Sequence, residues 1–251
     1  MYGFQLALGF LTAIPVRSAA SRPGDLGRAA PWFPVVGLLL GLVLSLAHWV
    51  FERLFAPTLS GALLVALWAL LTGGLHLDGL ADCGDGLLAS ATPERRLEMM
   101  RDPRLGAFGG LALILFLILK VMATAALPVR PLFSLALPEA WLPVGPLVVA
   151  TVCARWLVLL VGRQRSARPG GLGADFALGL GPTGLIVAGL VTAIVAVLGG
   201  PRGLVAVAAA HLLAVLVARL AHARLGGITG DVLGASVEIA TTVSLLGLSL
   251  H

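Results

Sequence analysis

The chain has 251 residues, of which 59% are hydrophobic and only 12% charged, and it carries a net charge of +5. A soluble domain has roughly a quarter charged residues, so a mean hydropathy of +1.01 excludes an ordinary soluble enzyme. The apolar residues gather in long runs, not in short alternating segments, which excludes a transmembrane barrel.

In chain order, the first apolar piece is residues 3–16, which is short enough to cross, re-enter or lie in the interface. The opening "MYGFQLALGFLTAIPVR" has no basic n-region and no clear cleavage site, so it reads as part of the mature protein. Seven longer runs follow at about 32–51, 60–76, 106–127, 142–162, 181–199, 203–222 and 232–250. Pro31, Pro131, Pro143 and Pro182 sit near their ends, where proline punctuates helices without breaking them. No repeat or linker divides the chain. The expectation is an all-α polytopic membrane bundle of about seven to eight transmembrane helices, forming a single domain over residues 1–251.

The arginines give this bundle an orientation. Loops 17–30, 77–105, 163–180 and 223–231 together carry 11 arginines, and the opposite loops 52–59, 128–140 and 200–202 carry 3. The richer side is therefore expected in the cytoplasm. With no basic stretch interleaved with stacking aromatics, the positive charge reads as orientation and not as a nucleic-acid surface. Cys83 and Cys153 make no zinc spacing and no disulfide pattern.

Chemistry concentrates in three stretches. "GGLHLDGLADCGDG", residues 73–86, places Asp78, Asp82 and Asp85 at i, i+4 and i+7. On a helix they share a stripe of roughly 60°. At about 5 Å and an effective dielectric near 20, each adjacent pair repels by about 3 kcal/mol. A divalent cation removes that conflict, and hard oxygen ligands favour Mg²⁺ or Mn²⁺. Gly79, Gly84 and Gly86 are expected to let backbone and metal approach a phosphate. His76 points away from Asp78 if the helix is continuous, which suits a substrate contact better than a metal ligand.

"GGITGDVLGASVE", residues 226–238, sets Asp231 and Glu238 on one face with Gly234 and Ala235 between them. A glutamate inside the last membrane run is costly and signals function. Gly230 and the neighbouring glycines can turn backbone N–H groups towards an anion at a helix N-terminus. In "EMMRDPRLGAFG", residues 98–109, Arg101 and Arg104 can neutralise phosphate oxygens, and Asp102 can ligate metal or orient an arginine. Upstream, Glu94, Arg95, Arg96 and Glu98 read as a solvated amphipathic helix. Lys120 and Arg155 interrupt apolar runs and are candidates for holding an anionic substrate. "GLGADF", residues 171–176, lies near Arg163, Arg165 and Arg168 and suits a nucleotide edge only weakly.

Taken together and in this order, "GGLHLDGLADCGDG", "RDPRLGAFGG", "GLGADF" and "GGITGDVLGASVE" resemble the cobalamin synthase (adenosylcobinamide-GDP ribazoletransferase) family, as do "GFLTAIPV" and "WFPVVGLLLG". The resemblance covers essentially the whole chain. It implies a multi-pass enzyme of the bacterial inner membrane with its active site on the cytoplasmic face. Such an enzyme joins adenosylcobinamide-GDP to α-ribazole or its 5′-phosphate and releases GMP with Mg²⁺. Asp78, Asp82 and Asp85 would then hold metal on the pyrophosphate, aided by Asp231 and Glu238. Asp82 or Asp85 is the first choice for receiving the hydroxyl proton. The partners expected are these small molecules and the lipid bilayer, with no nucleic acid, and a homo-oligomer is left open. The rivals are a phosphotransferase of the CDP-alcohol type, which "DGLAD" faintly resembles, and a cation-coupled transporter using Glu238, Lys120 and Arg155. The transporter fits less well, because the acids gather at one face and no inverted repeat is visible.

Overall fold

The computed structural model describes residues 2–16, 22–128, 145–168, 170 and 172–250. Arg17, Arg130, Pro131, Pro143 and the first residue of "GLGADF" lie outside them. The elements are α1 (Tyr2–Leu11), α2 (Asp25–Ala29), a 3-10 turn (Ala30–Trp32), α3 (Phe33–Leu54), α4 (Pro57–Thr72), α5 (Leu75–Leu88) and α6 (Pro93–Met99). They continue with α7 (Ala107–Ala125), α8 (Pro146–Gly162), α9 (Leu172–Gly179), α10 (Pro182–Leu198), α11 (Gly200–Leu225) and α12 (Gly230–Leu248). The all-α expectation holds for these residues, which contain no sheet. Ser166 and Ile228 form an isolated parallel bridge between two connecting segments.

Length and composition alone establish fewer spans than the seven to eight expected. Among the described residues, four segments are long and apolar enough to cross a membrane, and a fifth arises if α4 and α5 count as one broken span. α8 and α10 are apolar but only 17 residues each. At 1.5 Å per residue that is about 26 Å, slightly under the ~30 Å of a hydrocarbon core.

Position in the bundle explains which apolar residues are buried. α8 and α12 form the centre: α8 packs on α3, α10, α11 and α12, and α12 also packs on α5 and α7. α11 turns Ala206, Ala210, Ala214, Ala218 and Ala221 inward, all buried. Small side chains at this spacing let two backbones approach closely, the usual basis of helix packing in lipid. The outer face of α7 leaves Leu111, Ile114, Leu115, Ile118 and Met122 more than half exposed. In water such a stripe would aggregate, whereas against lipid tails it is matched.

The element that carries the acidic motif is α5. Gly73 and Gly74 adopt positive φ values of 62° and 69°, a region that L side chains rarely enter. They stop α4, and α5 leaves at 95° to it. The acidic segment is therefore not the tail of a continuous span. It is a separate helix laid against α12 and α7, at the bundle end that carries the arginine-rich connections.

Candidate active site

The site lies where α5 meets the start of α12. Gly79 is the contact point: a Cβ there would stand 2.8 Å from the Asp231 carbonyl oxygen and 3.2 Å from the Gly234 Cα. The two helices can approach this closely only because neither carries a side chain at the crossing. Thr229 caps α12 by accepting from the Val232 N–H at 3.3 Å, and its hydroxyl donates to Asp231 Oδ2 at 3.2 Å. The carboxylate of Asp231 is thus oriented before anything binds.

A cavity of about 320 Å³ opens at this crossing, lined by residues that include His76, Asp78, Gly79, Arg168, Gly230 and Asp231. Two carboxylates separated by 153 positions in sequence therefore face one space, as the two acidic motifs led us to expect. Asp82, half-buried one turn along α5, lies within the electrostatic reach of Asp231, Asp78 and Asp85. His76 is buried, yet it still borders the cavity.

Arg168, which the sequence offered only as one of three loop arginines beside a weak nucleotide cue, borders this cavity. Its guanidinium is 4.0 Å from the Asp231 carboxylate, and its Nη2 donates to the Leu97 carbonyl at 2.9 Å. Burial lowers its pKa from the usual arginine value, and the Asp231 charge opposes that shift. The backbone places it there. Ala167 N–H donates to the Ile228 carbonyl at 2.9 Å, and Ile228 N–H donates to the Arg165 carbonyl at 2.8 Å. Gly227 permits this pairing, since a Cβ would stand 2.6 Å from Ala167 N and Arg165 O. No local pattern marks Arg168 apart from Arg163 and Arg165, because its role is set by a contact with a segment 60 residues later.

Several expected site residues have other tasks. Asp85, expected to hold metal or take a proton, accepts the N–H groups of Gly106 and Gly109 at 2.8 and 2.9 Å. It thereby satisfies two of the free donors at the start of α7. Glu238, expected to reach the metal, lies seven residues beyond Asp231, or about 10 Å deeper along α12. There it accepts from Lys120 Nζ at 2.7 Å, with both side chains buried. Asp102 is gripped by Arg104 at 2.9 and 2.6 Å on the exposed surface. The hydrogen bonds and charge of that guanidinium hold the Asp102 carboxyl down at about 2. Asp102 therefore orients an arginine. Arg101 is exposed, and its positive charge is felt by Asp231.

The glycines and one surface arginine also differ from expectation. Gly79, Gly84 and Gly86 serve helix packing, the last two against the backbone of Phe108 and the side chain of Met100. Arg96, read as solvated, is buried and donates to the carbonyls of Gly86, Leu87 and Ala91. Arg224 adds a fourth bond, to Leu87 at 2.8 Å. Two arginines thus close the C-terminal end of α5. Among the described residues, no three His, Cys, Asp or Glu side chains converge into a closed metal cage.

Comparison with known proteins decides the family. The family model described as cobalamin-5-phosphate synthase matches residues 3–249. The chain belongs to that family. Relatives of the cobalamin-5-phosphate synthase family include a protein from Pseudomonas entomophila, 41% identical over 100% of this chain and 99% of its own length. Others come from Roseiflexus sp., 37% identical over 97% of this chain and 88% of its own, and from Escherichia coli, 35% identical over 98% of both. All three are named adenosylcobinamide-GDP ribazoletransferase. No solved structure matches the chain.

Proposed function

We propose that this chain joins adenosylcobinamide-GDP to α-ribazole or its 5′-phosphate, giving adenosylcobalamin or its 5′-phosphate and GMP. The reaction would take place at the cytoplasmic face of the bacterial inner membrane. The reading is carried by one observation: in a chain of this family, Asp78 and Asp231 open on a single cavity beside Arg168.

The donor set suits Mg²⁺ or Mn²⁺. Mg²⁺ commonly takes one or two protein carboxylates and completes its shell with water and substrate phosphates. Asp78 and Asp231 offer such an open pair, and Asp82 lies near both. When bound, the ion would neutralise charge on the pyrophosphate oxygens and on the departing phosphate.

The remaining steps rest on side chains of this protein. Arg168 pairs with the pyrophosphate at the cavity mouth, and the fixed backbone of the Ser166–Ile228 bridge holds it in place. The 3′-hydroxyl of the acceptor ribose attacks the phosphorus on the cobinamide side. The bond to the bridging oxygen breaks, and GMP leaves with that oxygen. Asp82 receives the hydroxyl proton and passes it to water; with Asp85 committed to α7, it is the carboxylate of the motif left for that task. Positioning and charge stabilisation are most of what a protein can contribute to phosphoryl transfer.

The test uses purified protein in maltoside micelles with adenosylcobinamide-GDP, α-ribazole and Mg²⁺. GMP release that requires both the acceptor and the metal is expected. Asp78→Asn and Asp231→Asn should each slow it on the order of 100-fold, about 2.7 kcal/mol of barrier. Wild-type rates with unchanged metal dependence in both folded variants would overturn the reading.

A further inference from the structure

The walls of the cavity divide by chemistry, and the proposed phosphoryl transfer uses only one part of them. Asp78 is exposed, and the side chains of Arg168 and Asp231 are partly open to solvent. Another part is sealed: Leu11, Val158, Leu233 and Val237 line the cavity and are each at most 3% exposed. Val237 lies six residues beyond Asp231 on α12, or about 9 Å along the helix. The apolar walls thus extend away from the acidic end.

His76 shares these walls. It is buried, and its Nδ1 is shut off from solvent with no hydrogen-bond partner among the described residues. Thr229, another buried polar side chain of the lining, has its hydroxyl committed to Asp231 and the Val232 N–H. A polar atom buried without a partner is costly. The backbone cannot easily withdraw the ring, because His76 is pressed against α12: a Cβ at Gly234 would stand 3.4 Å from the His76 Cα. The sealed part of the cavity therefore offers apolar contact and one imidazole.

That combination selects among the groups the two substrates carry. The corrin ring is too large for a space of about 320 Å³. Guanine presents hydrogen-bonding groups around both its rings, and valine and leucine walls would leave most of them unpaired. The base of α-ribazole is 5,6-dimethylbenzimidazole, a flat apolar bicycle whose single free ring nitrogen is an acceptor. One imidazole N–H satisfies it, and either nitrogen of a neutral imidazole can carry that proton. The α linkage sets the base on the same face of the ribose as the 3′-hydroxyl, so one cavity can receive both.

Resting on the function proposed above, we infer that His76 and the apolar walls around it form the subsite for the base of the acceptor. The imidazole donates to the free ring nitrogen. The subsite determines which bases are accepted: an apolar bicycle with one acceptor enters, and a base lacking that acceptor leaves His76 unpaired.

The experiment measures GMP release in micelles free of phospholipid, with α-ribazole or the α-riboside of 5,6-dimethylindole as acceptor. The two have the same shape, but the indole carries C–H in place of the free nitrogen. In the wild type, α-ribazole is expected to have a kcat/KM at least tenfold higher, mostly through KM. His76→Leu should bring that ratio close to one, and His76→Gln, which still donates, should keep part of it. If His76→Leu does not fold, the wild-type ratio and His76→Gln decide the matter. A wild-type ratio near one, or an unchanged ratio in folded His76→Leu, would overturn the subsite. Binding gives a second readout: free 5,6-dimethylbenzimidazole should raise the wild-type Tm more than 5,6-dimethylindole does, and His76→Leu should erase the difference. Loss of that difference when guanosine is added would assign the sealed walls to the donor, and its loss with added phospholipid would assign them to an acyl chain. Either result would overturn the proposal. GMP release with either acceptor keeps the proposed function intact whatever the ratio shows. If neither acceptor yields GMP, that function fails, and the base subsite stands or falls on the Tm difference.

Discussion

At the scale of residues, identical side chains in one short motif divide between lining a cavity and bracing a neighbouring helix according to what they meet across the fold. Asp78, Asp82 and Asp85 look equivalent in sequence, yet of the three Asp85 alone accepts two backbone N–H groups at the start of α7. Hydrogen bonds to a charged acceptor contribute roughly 1.5–3 kcal/mol each. Asp85→Asn, which keeps one acceptor oxygen and loses the charge, should therefore lower stability by about 2 kcal/mol. The measurable result is a reduced Tm in detergent with the Mg²⁺ concentration for half-maximal activity unchanged. A normal Tm with a large rise in the Mg²⁺ requirement would instead make Asp85 a ligand. The motif's acidity was legible because three like charges on one helix demand an explanation. The division of labour was not, since it depends on Gly106 and Gly109, more than 20 residues away.

At the scale of elements, the site exists because α5 and α12 come close enough for their carboxylates to share a cavity, and glycine sets that distance. Gly79 faces the Asp231 backbone and Gly234, so a methyl group there has no flexible neighbour to push aside. Gly79→Ala should force the helices apart, lower turnover more than tenfold and raise the Mg²⁺ requirement, because Asp78 and Asp231 would separate. Gly110→Ala is the fitting control: its added Cβ meets only a leucine methyl, Leu105 Cδ2, at 3.8 Å, and activity should stay at the wild-type level. Steady-state rates across a metal titration separate the two outcomes. Helix content was legible from the long apolar runs, and so was the meeting of two acidic motifs at one end. The 95° turn between α4 and α5 was not. The "GG" at residues 73–74 marks a break, but the direction of departure depends on how α5 packs on α7 and α12.

At the scale of the whole molecule, orientation follows from charge and can be read against the fold. The apolar outer faces of α7, α10 and α11 have no direction of their own, so the loops must supply it. Exposed Arg95 on α6 lies at the end that carries the cavity, and exposed Arg53 lies at the opposite end of α3. The excess of arginine on the cavity side predicts that this side is retained in the cytoplasm. The native thiols make a direct test possible, because Cys83 and Cys153 are both buried and should stay silent towards an impermeant maleimide. Arg53→Cys should then label in intact cells, while Arg95→Cys should label only after the membrane is opened. Both variants remove a single loop arginine and leave ten or more on the rich side, so neither should invert the topology. Labelling of Arg95→Cys in intact cells, with Arg53→Cys protected, would place the cavity outside and remove the cytoplasmic assignment. Silence at both positions until lysis would show that the turn between α3 and α4 does not reach the far side, which would mean fewer crossings than the apolar helices allow.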